Sequence, residues 1–206
     1  MSLSTYENLQ NQVKSFLHRA ALLDAVGDDN VPDLIRLGEL WLFRRARTPE
    51  MEATLSGQID GTTGALSVPS DYASLKHARV SRTPATALKM RPSRWIMENY
   101  PLRSADGIPS FIGRDGSTFI FGPFPDSAYT VAGVYYAKPT TIATSANSLF
   151  TANPDLYLYS ALAESNAYVK NDKWITFWNA KREAIVDDIN EESDEGQYDD
   201  MTVSPG

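Results

Sequence analysis

The side chains of this chain that could carry out chemistry are two pairs of carboxylates. Glu164 with Asp172, and Glu98 with Asp106, would suit a cell-wall hydrolase in which one acid donates a proton and the other acts as base or nucleophile. Such pairs are frequent by chance, and these fall on a polar helix flank or in a loop. A muralytic assay with alanine variants of these acids would distinguish this alternative. We expect no enzymatic activity.

Other catalytic and metal-binding patterns are equally weak. His18 falls on the polar flank of a predicted helix and His77 in a predicted strand, where solvated or structural histidines are the usual case. No Gly-x-Ser-x-Gly or His-Glu-x-x-His motif occurs, and the glycine-rich segment 57–64 lacks the lysine of a phosphate-binding loop. There is no cysteine, and the acids at 187–200 lack EF-hand spacing. We predict no catalytic residue, no metal and no cofactor.

The net charge of −7 belongs to the C-terminal end. Residues 187–206 contain eight of the 26 acids and no lysine or arginine, which leaves 18 acids against 19 bases elsewhere. A near-neutral body without a basic stripe does not favour the wrapping of nucleic acid. We expect the acidic end, 191–206, to be flexible when free. No apolar run approaches the roughly 20 residues of a membrane helix and no signal peptide is recognisable, so we expect a soluble intracellular product.

Hydrophobic periodicity predicts four helices that frame a β-rich centre. The capping and breaking signals give their spans as Ser4 to about Asp24, Pro32 to about Arg45, Pro154 up to a break at Asn171, and Trp174 to Ile189. All four tryptophans fall on apolar helix faces or beside strands, which favours core packing over a carbohydrate platform; they are Trp41, Trp95, Trp174 and Trp178. The apolar stripes predict that the first and last helix pairs pack together.

The centre of the chain alternates in the manner of strands. Asp115-Gly116 lies between two aromatic β-rich runs and predicts a hairpin with a type I′ turn. A short helix is predicted at 92–100. The predicted fold class is therefore α+β, an antiparallel helical bundle of N- and C-terminal helices with an inserted antiparallel β-sheet domain. The predicted boundaries are 1–50 and 152–190 for the two halves of the bundle, 51–151 for the sheet domain and 191–206 for the acidic tail.

Several short motifs follow one another along the chain in a distinctive order. They are WLFRR at 41–45, VPSDY at 68–72, GPFPD at 122–126, YYAKP at 135–139 and PDLYLYSAL at 154–162. In this order, and over roughly residues 5 to 190, the chain resembles the tailed-bacteriophage adaptor or head-to-tail connector proteins of the podovirus, tail-tubular-like type. Each motif alone is weak, because Pro-Ser-Asp turns are common, whereas their order and spacing are specific.

The resemblance implies a structural virion protein, found in the tail or neck and in the host cytoplasm during assembly. Such adaptors form a ring, usually twelvefold, beneath the portal and pass the DNA channel to the tail nozzle. DNA then slides through without specific binding, and no membrane is involved. Their helical frame makes the contacts between neighbours, the sheet lies toward the tail, and the C-terminal segment docks on the portal. The alternative in the same class is another neck or head-completion (stopper) protein.

The acidic tail sets the expectation for assembly. Eight acids per copy repel one another when copies gather, so we expect a monomer in dilute solution and a ring only on the portal. The candidate portal-contacting residues are the hydrophobic ones of the tail, Tyr198, Met201 and Val203. Truncation after Ile189 is expected to weaken portal binding and leave the fold nearly intact.

Overall fold

A computed structural model shows a mixed α+β protein, in which the strands of a seven-stranded sheet come after the N-terminal helices and before the C-terminal helices in chain order. The residues that it describes are 3–18, 29–103, 107–167 and 172–198, the side chains of 166, 167, 172 and 194–198 excepted. The chain divides into two compact units, a helical unit of residues 1–51 with 138–206 and a sheet unit of residues 52–137. The helices are α1 (Tyr6–Phe16), α2 (Val31–Arg45), α3 (Ser93–Asn99), α4 (Ser148–Ala152), α5 (Pro154–Ala163) and α6 (Asp172–Tyr198).

Helix α1 is shorter than the sequence predicts. Its N-cap is Thr5, whose hydroxyl oxygen accepts a hydrogen bond from the Asn8 N–H at 3.1 Å, and not Ser4. It ends at Phe16 because His18 adopts a φ of +53°, a left-handed conformation that stops a helix. The predicted end near Asp24 is therefore wrong, and residues 19–28 lie outside the described part of the chain.

Helix α5 is the central element of the helical unit, where it contacts α1, α2 and α6. Most of its residues are buried, as expected for a helix that has neighbours on several sides. Gly38 allows α2 to approach closely, since a Cβ at that position would lie 2.9 Å from the backbone nitrogen of Ala161. The predicted contact between the first and last helix pairs is confirmed by the packing of α1 and α2 on α5.

Two helical features were not apparent from periodicity. The side-chain oxygen of Asn147 accepts a hydrogen bond from the Phe150 N–H at 2.7 Å and starts the short helix α4. Helix α6 continues to Tyr198, past its predicted end at Ile189. Two polar residues pack in this added length, because Asn190 accepts a hydrogen bond from the Arg47 N–H at 2.8 Å and Ser193 is buried. Because both residues are polar, the pattern of hydrophobic residues does not predict these contacts.

The described residues of the sheet unit form seven strands in the spatial order β1-β7-β3-β4-β5-β6-β2. They are β1 (Glu52–Gln58), β2 (Ala65–Ser67), β3 (Tyr72–Val80), β4 (Thr86–Met90), β5 (Phe111–Asp115), β6 (Thr118–Gly122) and β7 (Thr130–Ala137). The sheet is mixed and not wholly antiparallel as predicted, since β4 and β5 pair in parallel. Helix α3 lies in the connection between these two strands, and such a crossover is what parallel neighbours require.

The hairpin predicted at Asp115-Gly116 is present, but its turn lies one residue further along. Asp115 pairs with Thr118, so the two-residue loop consists of Gly116 and Ser117. Gly116 has a φ of +59°, which confirms the positive φ predicted for it, whereas the φ of Ser117 is not positive. Glycine at the first central position is typical of a type II′ turn, so the predicted type I′ turn is wrong.

Aromatic rings fill the core of the sheet unit. The Tyr72 ring lies 5.3 Å from that of Phe119 in an edge-on arrangement and 5.9 Å from that of Tyr135 in a stacked one, measured between centroids. The Tyr135 hydroxyl donates a hydrogen bond to Asp71 at 2.9 Å, so its polar end is satisfied. These residues connect the VPSDY motif to the centre of the sheet, which gives that motif a packing role.

Candidate interaction surface

The carboxylates proposed for the alternative hydrolase are held in ion pairs where the structure describes them. Glu164 accepts a hydrogen bond from Arg182 Nη1 at 2.6 Å, and Glu98 accepts one from Arg94 Nε at 2.7 Å within α3. The side chain of Asp172 is not described, and Asp106 lies outside the described residues. Neither pair is therefore shown to face a common space, and each described acid has a basic partner.

The two histidines are exposed, and they belong to different units. His18 follows α1 in the helical unit, whereas His77 is in β3 of the sheet unit. Within the ranges that the structure describes, no group of three or more histidine and acidic side chains could hold a metal ion.

The candidate portal-contacting residues lie at or beyond the end of the described chain. Tyr198 is the last residue of α6, and its side chain is not described. Met201 and Val203 lie outside the described residues. The first eight residues of the predicted flexible tail, 191–198, instead form the last two turns of α6, a helix of 27 residues.

The helical unit exposes an aromatic surface where α1 ends and α6 begins. Phe16 and Phe177 are each 44% exposed and Trp174 is 53% exposed. They border a cleft of about 570 Å³, which we call the aromatic cleft. Its lining residues are Ser15, Phe16, Leu17, His18, Tyr159, Trp174, Phe177 and Trp178. The prediction that all four tryptophans pack in the core is therefore wrong for Trp174.

The cleft is organised by the start of α6. The Trp174 ring stacks on that of Trp178 at 6.1 Å and meets the ring of Phe177 edge-on at 6.0 Å. Trp178 faces inward and is 4% exposed. The three aromatic residues stand at i, i+3 and i+4 and so share an arc of about 100°, which is the spacing of an ordinary buried helix face. The sequence therefore gives no signal that Trp174 and Phe177 are exposed.

A second depression of about 460 Å³ continues from the cleft and shares Tyr159 with it. Its lining residues are Asp155, Tyr159, Lys181, Ala184, Ile185 and Asp188, and we call it the polar groove. Lys181 lies at the junction, with its ammonium 5.8 Å from the centroid of the Phe177 ring. Cleft and groove together form one surface that changes from aromatic to charged along α6. Such a surface suits a protein partner with an apolar and a polar end.

The sheet unit has its own exposed apolar side chains near α3. Leu102 is 75% exposed, Met90 48% and Met97 39%. Trp95, beside them, is half-buried and packs against Phe111 with ring centroids 4.9 Å apart. Each unit therefore exposes large apolar side chains of its own.

Comparisons with known proteins agree with this interaction-protein character. Among the described residues, no helix is long and apolar enough to cross a membrane. No curated protein matches the chain. The sequence profile of the SU10 adaptor protein family, however, matches residues 4–205, which is nearly the whole chain. The chain therefore belongs to the SU10 adaptor protein family, which confirms the resemblance to phage adaptors at the level of the family.

Proposed function

We propose that this chain is a structural protein of the virion, an adaptor that joins the portal to the tail and continues the DNA channel. The match to the adaptor family over residues 4–205 carries this proposal. The order of motifs favours the podovirus, tail-tubular-like type, in which copies form a ring, usually twelvefold. In this arrangement the described helices α1, α2, α5 and α6 form an antiparallel bundle that makes contacts between copies, and the sheet unit contacts the tail nozzle.

The charge distribution supports passage of DNA without binding. Outside residues 187–206 the chain has 18 acids and 19 bases, so it lacks the excess of cations that neutralises phosphates. Neutralisation of phosphates by lysine and arginine is the main source of non-specific affinity for DNA. A channel built from such a body lets DNA slide.

The C-terminal segment is the proposed contact with the portal. It begins at Tyr198, the last residue of α6, and its hydrophobic residues are Tyr198, Met201 and Val203. On α6 itself Asp187, Asp188, Glu191 and Glu192 are exposed, so neighbouring copies repel one another through this region until a portal supplies compensating cations. We therefore expect a monomer in dilute solution and a ring on the portal.

Co-sedimentation with portal rings from the same phage tests this function. We expect the full chain to sediment with the rings in a fixed ratio and to remain in the supernatant without them. A chain ending at Tyr198 should keep its melting temperature and bind more weakly. A chain ending at Ile189 should also lose stability, contrary to the expectation from sequence, because it lacks Asn190 and Ser193. Full-length protein that never sediments with the rings would overturn the proposal.

A further inference from the structure

We propose that the aromatic cleft and polar groove of one copy receive helix α2 of a second copy, in a head-to-tail contact. The inference rests on the proposed function in one respect, since a ring needs a repeated contact between copies. It names the two surfaces that make the contact. Its support comes from the order of apolar and charged side chains along α6 and along α2.

The receiving surface is a single stripe on α6. Residues 174, 177, 181, 184 and 188 recur at spacings of three and four, which places them on one helix face. From the N-terminal end the stripe carries two exposed aromatic side chains, then Lys181, and then the exposed carboxylate of Asp188. The exposed Glu192, one turn further, extends the acidic end. The stripe therefore runs from apolar to acidic.

The inserted surface is the outward stripe of α2. Leu37 is 49% exposed, although its neighbour Gly38 packs on α5. Residues 33, 37, 41 and 44 recur at spacings of four and three, so they share the face of Leu37. Asp33 and Arg44 are exposed at the two ends of this stripe, and Arg45 follows exposed. Trp41 lies between them but is half-buried, with its ring against Arg182 of its own chain, so Leu37 is the apolar side chain that the stripe offers to a partner. This stripe runs from an acid through Leu37 to two arginines.

The two stripes match when the helices lie parallel. With Leu37 opposite Phe177, Asp33 comes opposite Lys173, which is also exposed, and the acidic and basic charges form a pair. At the other end Asp188 lies eleven residues beyond Phe177, or about 16 Å along α6 at a rise of 1.5 Å per residue. Arg44 and Arg45 lie about 11 Å beyond Leu37 by the same rise, and their long side chains cover the remaining distance.

The α2 helix of the same chain cannot occupy this surface. The guanidinium of Arg182 lies 4.2 Å from the centroid of the Trp41 ring, and Asn190 donates a hydrogen bond to the carbonyl oxygen of Arg45 at 3.2 Å. Arg182 and Asn190 are turned by about 100° and 180° from Lys181 around α6. A chain's own α2 therefore lies against another flank of α6. The receiving and inserted surfaces differ, and contacts of this heterologous kind generate rings when they close.

Cross-linking between engineered cysteines tests the contact directly, because the chain has no cysteine of its own. Asp33→Cys and Lys173→Cys proteins are mixed at high concentration with a short bismaleimide reagent. Both positions are exposed and lie outside the apolar part of the proposed contact. We expect mixed dimers, and extended ladders from the double variant. The matched control pairs Asp33→Cys with Glu183→Cys, which is exposed on α6 but away from the stripe.

A second set of variants addresses the chemistry of the contact. Phe177→Asp in the Lys173→Cys protein, or Arg44→Glu in the Asp33→Cys protein, should lower the cross-linked yield roughly tenfold without changing the melting temperature. Asp188→Arg combined with Arg44→Glu should restore the yield. A yield equal to that of the Glu183 control, or predominant Asp33–Asp33 dimers, would overturn the head-to-tail contact. A large loss of melting temperature in Phe177→Asp would also overturn it, because the cleft would then be filled within the chain.

These results are separable from a failure of the proposed function. If the protein forms the specific cross-links but never binds portal rings, the contact between copies is supported and the adaptor role is contradicted. Portal binding without specific cross-links, both in concentrated solution and on the portal, would leave the adaptor role standing and remove this contact.

Discussion

Glu39 in α2 accepts a hydrogen bond from the backbone N–H of Ile142 at 2.8 Å, across a separation of 103 residues. Its other carboxylate oxygen accepts one from the Thr141 hydroxyl at 2.6 Å. Glu39 is 1% exposed. This contact fastens the chain that returns from the sheet unit, at residues 138–147, to the second helix.

Removing this carboxylate should be costly. Glu39→Ala leaves the buried N–H of Ile142 without its acceptor, and we expect a loss of about 3 kcal/mol in the free energy of unfolding. Glu39→Gln keeps one oxygen acceptor and should lose less. Chemical denaturation is the measurement, with Glu50→Ala at an exposed position as control. A loss below about 1 kcal/mol for Glu39→Ala would contradict the role given to this residue.

The two stacked tryptophans of α6 should respond differently to truncation. Trp178 is 4% exposed, so Trp178→Ala should cost roughly 3–5 kcal/mol through lost burial and a residual cavity. Trp174 is 53% exposed, so Trp174→Ala should cost about 1 kcal/mol or less in the isolated chain. Thermal and denaturant unfolding of both variants checks this. Equal losses in the free energy of unfolding would mean that Trp174 is as buried as Trp178 and that the aromatic cleft is not exposed.

The hairpin turn offers a test of backbone strain without steric clash. A Cβ at Gly116 would meet nothing within 4 Å, so the cost of Gly116→Val comes from its positive φ alone. We expect a loss of about 2 kcal/mol, and a smaller one for Gly116→Asn, since asparagine tolerates this conformation better. If both variants have the same free energy of unfolding as the natural chain, the assignment of a positive φ to Gly116 is wrong.

Alkaline pH should destabilise the helical unit through a buried tyrosine. Burial raises the pKa of Tyr157 far above its ordinary value, although its hydroxyl donates a hydrogen bond to Asn147 at 3.1 Å. Since the folded-state pKa is raised, this contribution to stability is fully present below the unfolded pKa of about 10 and is lost as pH rises through the folded value. Unfolding curves from pH 8 to 12 should show a decline above pH 10 that is smaller in Tyr157→Phe. If stability declines equally above pH 10 in Tyr157→Phe, titrating groups other than Tyr157 cause the loss.

Much of the fold follows from local signals in the sequence. Asn153-Pro154 predicts the start of α5, and Asp115-Gly116 predicts the hairpin that joins β5 to β6. What the sequence does not contain is the identity of distant partners. The capping of α4 by Asn147 and the contact of Asn190 with Arg47 depend on polar groups that no hydrophobic pattern records. The parallel pairing of β4 with β5 likewise depends on where α3 returns the chain.

The candidate site shows the same division between local and distant information. The aromatic residues at 174, 177 and 178 are evident in the sequence, and periodicity assigns them all to one interior face. Only packing reveals that α5 covers one flank of α6 and leaves Trp174 and Phe177 exposed. The family, by contrast, could be inferred from the order of short motifs. That order can be read directly from the sequence and does not depend on what each motif contacts in the fold.

Electron microscopy of this protein mixed with portal rings from the same phage tests the central claim most directly. The adaptor role predicts that a second ring of repeated copies appears beneath each portal, with a continuous central channel through both. The free protein at the same concentration should show single particles of one chain. Portal rings that remain bare at saturating concentrations of the natural chain would contradict the adaptor role.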